Sequence, residues 1–231
     1  MTPLKVGVVV PAAGSGRRMG GVRKPFLELR GLPTLVHALR PFLARTDVVA
    51  VAVALAADDA AEPPSWLTDL DSRITVVAGG SSRTRSVALA LAALPDDVDL
   101  VAIHDAARPL VTGELIEACV RAAAEGQGAV AGCPAVDTVK EVDADGRVVG
   151  TPDRARLWYA HTPQVFPAAL ARAAYARADD AGATDDAALV ERAGGTVRMV
   201  DGGTGNLKVT RPEDVAVAEA LLSLREAGSR A

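Results

Sequence analysis

The stretch Val8–Phe26, VVVPAAGSGRRMGGVRKPF, changes character at Pro11. An apolar, mostly β-branched run from Val6 to Val10 stops there, and small residues, spaced glycines and cations take over. The run has the length and composition of a strand buried in a parallel sheet. Ala12, Ala13, Gly14 and Gly16 leave backbone N–H groups open to close approach by a ligand, because no large side chain intervenes. Pro11 and Ser15 complete this candidate binding loop. Arg17, Arg18, Arg23 and Lys24 then place four cations within eight residues beside those amides. The combination suits a polyanion, with a nucleoside triphosphate as the first candidate.

Two other phosphate signatures do not fit. The dinucleotide fingerprint requires glycine three residues after Gly16, where Met19 stands, and a P-loop requires Lys-Ser/Thr where Gly21 is followed by Val22 and Arg23. A solvated glycine turn with incidental arginines is the competing reading of the loop alone.

The chain has 231 residues, 49% of them hydrophobic and only 3% aromatic, so one α/β domain with a Val-, Leu- and Ala-filled core is expected over 1–231. A net charge of −4 argues against nucleic acid as partner, and the local cation clusters point to a small anionic ligand. Cys119 and Cys133 lack disulfide-framework and zinc-ligand spacing and read as small core residues in a reducing compartment. The first strand begins too early for a signal peptide, and no apolar run has membrane-spanning length. A cytoplasmic protein is expected.

Periodicity predicts a helix over Thr34–Arg45, a strand over Val48–Leu55, an irregular segment over Asp58–Asp71 around Trp66, and a strand over Ile74–Val77. Gly79-Gly80 follows, then a helix to Leu94 capped by Ser81 or Ser82. Leu100–Ile103 is a strand ending in His104-Asp105-Ala106-Ala107-Arg108; Thr112 caps the next helix, and Ala129–Pro134 is a strand. Alternating strands and helices imply a mostly parallel, twisted, Rossmann-like sheet flanked by helices, with ligands beyond the carboxyl ends of the strands. The glycine loop, Gly79-Gly80 and His104–Arg108 all fall there.

From Val136 the pattern changes. Thr138–Val142 and Arg147–Val149 flank an Asp-Gly turn and read as a protruding β-hairpin arm that leans on a further surface, such as a partner subunit. Leu157–Phe166 is extended, Ala168–Arg177 and Thr184–Ala193 are helical, and Thr196–Val200 and Asn206–Val209 are strands. Thr210 with Glu213 reads as a capping box for the last helix.

Asp105 at a strand end suits Mg²⁺ or a sugar hydroxyl, with a strand-end cap as the competing reading. His104 and His161 read as structural hydrogen-bonding groups. Lys140, Arg154 and Lys208 are cations remote from the loop, and Lys208 interrupts an apolar alternation. No Ser-His-Asp or Cys-His nucleophile constellation is present. A phosphate nucleophile needs none, because its second pKa is about 6 and cations suffice to offset repulsion between two anions.

PAAGSGRRM with RKPF, IHDAARP, DTVKEV, LWYAHTPQVF, TDDAALVE and NLKVTRPED occur in that order. Together they resemble the 2-C-methyl-D-erythritol 4-phosphate cytidylyltransferase family over nearly the whole chain. The resemblance implies a nucleotidyltransferase-type fold and transfer of CMP from CTP to methylerythritol phosphate, with Mg²⁺ or another divalent cation and release of pyrophosphate. It implies that Arg18 and Lys24 steady the α-phosphorus and the leaving pyrophosphate, and that Arg154 and Lys208 hold the substrate phosphate. Ala12, Ala13, Gly14 and Gly16 would surround the triphosphate and base, with Gly80 and Ser86 at the cytidine. Asp105, beside Ala106, would lie near ribose, metal and substrate. Thr138, Thr162 and Thr184 would bind substrate, Arg108 would do so from the neighbouring subunit, and the arm at about 136–151 would form a homodimer. RKPF departs from the family's frequent Pro-Lys-Gln-aromatic. The rivals are a cytidylyltransferase for another polyol phosphate, such as ribitol 5-phosphate, a sugar-1-phosphate nucleotidyltransferase, and a nucleotide-binding regulator without turnover.

Overall fold

The computed structural model describes residues 4–14, 24–178 and 184–228, with Lys24 and Gly228 as backbone only. Its strands are β1 (Val6–Pro11), β2 (Glu28–Leu29), β3 (Leu32–Pro33), β4 (Val48–Leu55), β5 (Ile74–Ala78), β6 (Leu100–Ile103), β7 (Gly128–Pro134), β8 (Glu141–Val142), β9 (Val148–Gly150), β10 (Trp158–Pro167) and β11 (Val197–Asp201). The helices are α1 (Thr34–Leu43), α2 (Ala57–Ala61), α3 (Ser65–Thr68), α4 (Arg83–Ala92), α5 (Gly113–Ala123), α6 (Ala168–Ala176), α7 (Asp186–Arg192) and α8 (Pro212–Gly228). Lys24–Phe26 and Arg154–Arg156 form short 3-10 turns.

One seven-stranded sheet runs in the order β11-β7-β10-β6-β1-β4-β5, and only β10 is antiparallel to its neighbours. The unbroken apolar run of β1 follows from burial on both faces. Val8 and Val10 pack with Leu35, Leu39 and Phe42 of α1 and with Ile116 and Cys119 of α5. Val9 packs with Val87 and Leu91 of α4, Ala171 of α6 and Val190 of α7 on the other side. Each fully buried valine of this kind contributes about 1.5–3 kcal/mol.

Several segments differ from the sequence expectation. Residues 58–71 are not irregular throughout: α2 and α3 form there, and Trp66 of α3 meets the Phe26 ring edge-on at 5.8 Å. Asn206–Val209 is not a strand. Val209 is buried in a satellite cluster with Leu29, Leu110 and Ala218, and its N–H donates to the Ala107 carbonyl, but no ladder forms. Asp214, not Glu213, closes the cap of α8 by accepting from the Thr210 N–H, the Thr210 hydroxyl and the Arg211 N–H. Helix α7 starts at Asp186, two residues later than the expected start at Thr184, with Asp185 as its cap. The arm forms as expected: β8 and β9 pair antiparallel, Asp143 accepts from the Asp145 and Arg147 N–H groups, and Gly146 takes φ +79° in the turn.

Candidate active site

The carboxyl ends of β1, β4 and β5 hold the glycine segments against one another. The Ala12 N–H donates to Ala54 O and the Gly79 N–H to Leu55 O, each at 2.7 Å. A Cβ on Gly79 would strike the Ala13 side chain and come within 3.1 Å of Leu55 O, so only glycine allows this approach. Ser86 is buried, accepting from the Gly80 N–H at 3.1 Å and donating to Ser82 O at 2.8 Å. Its hydroxyl therefore shapes the Gly80 turn from within. Ser82 is the cap of α4, accepting from the Arg85 N–H.

Asp105 stands just past β6, and its N–H donates to Thr162 Oγ1 of β10 at 3.0 Å. The Thr162 hydroxyl lies 3.1 Å from His104 Nδ1, and His104 Nε2 lies 3.1 Å from Arg108 O. With the Thr162 proton pointed at Nδ1, the imidazole donates from Nε2 and is neutral. Burial pushes its pKa down to about 4, which suits a strut and not a base. Burial, with Arg108 nearby, likewise lowers His161 to about 4.

The Asp105 carboxylate faces two cations. Lys208 Nζ is 2.6 Å from Oδ2, and the Arg83 guanidinium is 3.1 Å from Oδ1. Burial alone would raise the Asp105 pKa; Arg83 and Lys208 reverse that and hold it well below the usual carboxylate range. Arg83 also reaches both Asp186 oxygens at 2.7 Å, and the Tyr175 hydroxyl donates to Asp186. Burial opposes the Arg83 charge, but Asp186 and Asp105 keep it firmly protonated.

Other expected site residues fall into three groups. Ala106 and Arg108 are buried beside Asp105, with Arg108 donating to Asn206 O at 2.7 Å, and Asn206 donates in turn to Thr162 O. Thr138 belongs to the arm and Arg154 to the 3-10 turn just after it; Arg154 donates to Val136 O at 2.7 Å at the arm's base and is not joined to Asp105 or Lys208 within the single chain. Thr184 is exposed just before the Asp185 cap. Ser15, Gly16, Arg17, Arg18 and Arg23 lie outside the described residues, as does the Lys24 side chain. Arg83, Asp186 and Tyr175 escaped the sequence reading. Arg83 is separated from Asp186 by 103 positions, and nothing local marks a helix-opening arginine as the partner of two carboxylates.

Residues 6–224 match the family described as 2-C-methyl-D-erythritol 4-phosphate cytidylyltransferase. The chain belongs to that family. A relative of that name from Symbiobacterium thermophilum is 45% identical over 220 residues, covering 94% of this chain and 92% of its own. Another, from Parasynechococcus marenigrum, is 42% identical over 222 residues, covering 95% and 98%. The crystal structure of the 4-diphosphocytidyl-2C-methyl-D-erythritol synthase from Anaerococcus prevotii superimposes with a TM-score of 0.85 at 29% identity, covering 96% and 97%. That of the Thermus thermophilus cytidylyltransferase gives 0.77 at 33% identity, covering 93% and 98%. In this cytidylyltransferase-family fold, the glycine segments and the Lys208–Asp105–Arg83 group share one edge of the sheet. No helix among the described residues is long and apolar enough to cross a membrane.

Proposed function

We propose that this chain transfers CMP from CTP to 2-C-methyl-D-erythritol 4-phosphate, giving CDP-methylerythritol and pyrophosphate for non-mevalonate isoprenoid synthesis. The observation that carries this reading is Lys208, whose side chain is 42% exposed and paired with Asp105 at the sheet edge that also carries Gly79-Gly80. A substrate phosphate oxygen, ionised above a pKa of about 6, forms a bond to the CTP α-phosphorus, and the bond to the pyrophosphate oxygen breaks. No proton has to be removed. The protein's task is to bring two anions together and to neutralise charge on the leaving group.

Lys208 and Arg154 hold the acceptor phosphate in this reading, while Arg18 and Lys24 serve the triphosphate. Pro11, Ala12, Ala13, Gly14, Ser15, Gly16, Gly79 and Gly80 line the nucleotide, with Ser86 fixing the Gly80 turn. Thr184 and the arm's Thr138 face the acceptor, while Thr162 and Arg108 are buried behind Asp105, the Thr162 hydroxyl between the Asp105 N–H and His104 Nδ1 and the Arg108 guanidinium on Asn206 O of its own chain. Among the described residues no cluster of three metal-ligating side chains exists. A single ionised carboxylate, Asp105, fits Mg²⁺, which is usually held by one or two carboxylates together with substrate phosphates. Bound there, the ion supplies positive charge to the triphosphate.

A second copy of the chain completes the assembly. Val136, Val142, Val148, Val149, Trp158 and Tyr159 are exposed on and beside the arm, an apolar surface suited to a homodimer. Two free, buried cysteines suit a reducing cytoplasm. The test is pyrophosphate release from CTP and Mg²⁺ with either methylerythritol phosphate or ribitol 5-phosphate as acceptor. Turnover favouring methylerythritol phosphate is expected; equal or greater turnover with ribitol 5-phosphate would overturn the substrate assignment.

A further inference from the structure

Arg83 joins two carboxylates that arrive from different parts of the chain. Its Nε and one terminal nitrogen lie 3.2 and 3.1 Å from Asp105 Oδ1, and its terminal nitrogens each lie 2.7 Å from an Asp186 oxygen. The Asp186 side chain is 1% exposed and that of Asp105 12%. A planar guanidinium can span both; a lysine ammonium, a point charge, cannot match them together. Arg83 opens α4 directly after the Ser82 cap and the Gly79-Gly80 turn. Asp186 opens α7 directly after Asp185 and Thr184. The fork thus ties the glycine turn, Asp105 and the start of α7 to one another.

Lys208 holds the other Asp105 oxygen at 2.6 Å and is the more exposed of the two cations, at 42% against 36%. A phosphate at Lys208 would compete with Asp105 for that cation, whereas Arg83 is held a second time by Asp186. Resting on the reading of this edge as a polyol-phosphate site, we infer that Arg83 is a positioning residue that keeps Asp105 in place while Lys208 changes partner. It acts through Asp105 and not by touching the reacting atoms.

Wild-type turnover is measured first. Its absence would overturn the functional reading, and the role of Arg83 with it. With turnover in hand, Arg83→Met is expected to raise KM for methylerythritol phosphate at least tenfold and KM for CTP less than threefold, and Arg83→Lys is expected to restore part of the loss. Asp186→Asn weakens the anchor but leaves the Arg83–Asp105 contacts available; it should lower Tm and raise the acceptor KM by less than Arg83→Met does, with KM for CTP within threefold of wild type. Unchanged kinetics in Arg83→Met, an equal rise in both KM values, or a larger acceptor-selective rise in Asp186→Asn than in Arg83→Met would overturn the proposal. If Arg83→Met does not fold, Arg83→Lys decides the matter: an acceptor-selective rise in KM supports it, and a uniform or absent change overturns it.

Discussion

Lys208 and Asp105 form a close ion pair whose cation is partly in solvent, so a phosphate that binds Lys208 replaces one anion by another. A charge-assisted hydrogen bond of this kind contributes about 1.5–3 kcal/mol, or roughly 10- to 150-fold in affinity. Lys208→Met is therefore expected to raise KM for the acceptor phosphate by that factor with little change in KM for CTP, measured by steady-state pyrophosphate release. His104 makes a separate prediction. Its pKa falls from 6.5 in the unfolded chain to about 4 in the buried, neutral state. Between those values the unfolded chain binds the extra proton, so its contribution is intact above pH 6.5 and is lost as pH falls toward 4. His104 alone should account for about 2 kcal/mol less stability at pH 5 than at pH 7.5 in urea unfolding, with His161 steepening the slope in the same direction, and His104→Gln should reduce that slope. At this scale the sequence marked Asp105 by its place at the end of an apolar strand and Lys208 because it interrupts an apolar alternation. Arg83 carried no such mark, since its partners meet it only through the sheet topology.

Helix and loop ends are held by local chemistry that sequence pattern reads only in part. Thr210 and Glu213 have capping-box spacing, but the carboxylate that receives three hydrogen bonds is Asp214. Asp214→Ala should cost about 1–2 kcal/mol in chemical denaturation, and Glu213→Ala a few tenths. The two carboxylates are adjacent in sequence, and which one turns inward is set by the backbone direction after Arg211. Asn206–Val209 shows the same limit. Leu207 and Val209 alternate with polar residues as in a strand, but their burial is against α8 and β2, with no neighbouring strand to complete a ladder. The glycine loops were legible because their function is to have no side chain. Gly79→Ala would force a methyl group against Ala13 and Leu55 O, so about 1–3 kcal/mol of stability should be lost. CTP use should fall further than that loss of folded protein explains, which a KM measurement on the folded fraction checks.

Across the whole molecule, the apolar residues divide into a double-sided core and an exposed arm. The core was readable from the valine runs of β1 and β4, whose burial on both faces removes any polar alternation. The arm was readable from its Asp-Gly turn, and the homodimer proposed for it rests on the apolar residues it exposes. Val148→Glu with Val149→Glu places two charges among the exposed apolar residues of β9. Sedimentation should then show a shift from dimer to monomer, with a fall in activity of at least tenfold if Arg154 and Thr138 reach the site across that contact.

β10 lies between β6 and β7 although it follows both in the chain. During synthesis, β7 emerges before either of its two neighbours, β10 and β11, exists. For roughly 2–7 s at ordinary translation rates, a wholly apolar strand therefore waits with both edges bare beside the ribosome. The seam closes only when Gln164–Pro167 zips onto Leu100–Ile103. Any nonsense truncation before Trp158 thus leaves a sticky fragment for the cell's quality control, not a smaller working enzyme.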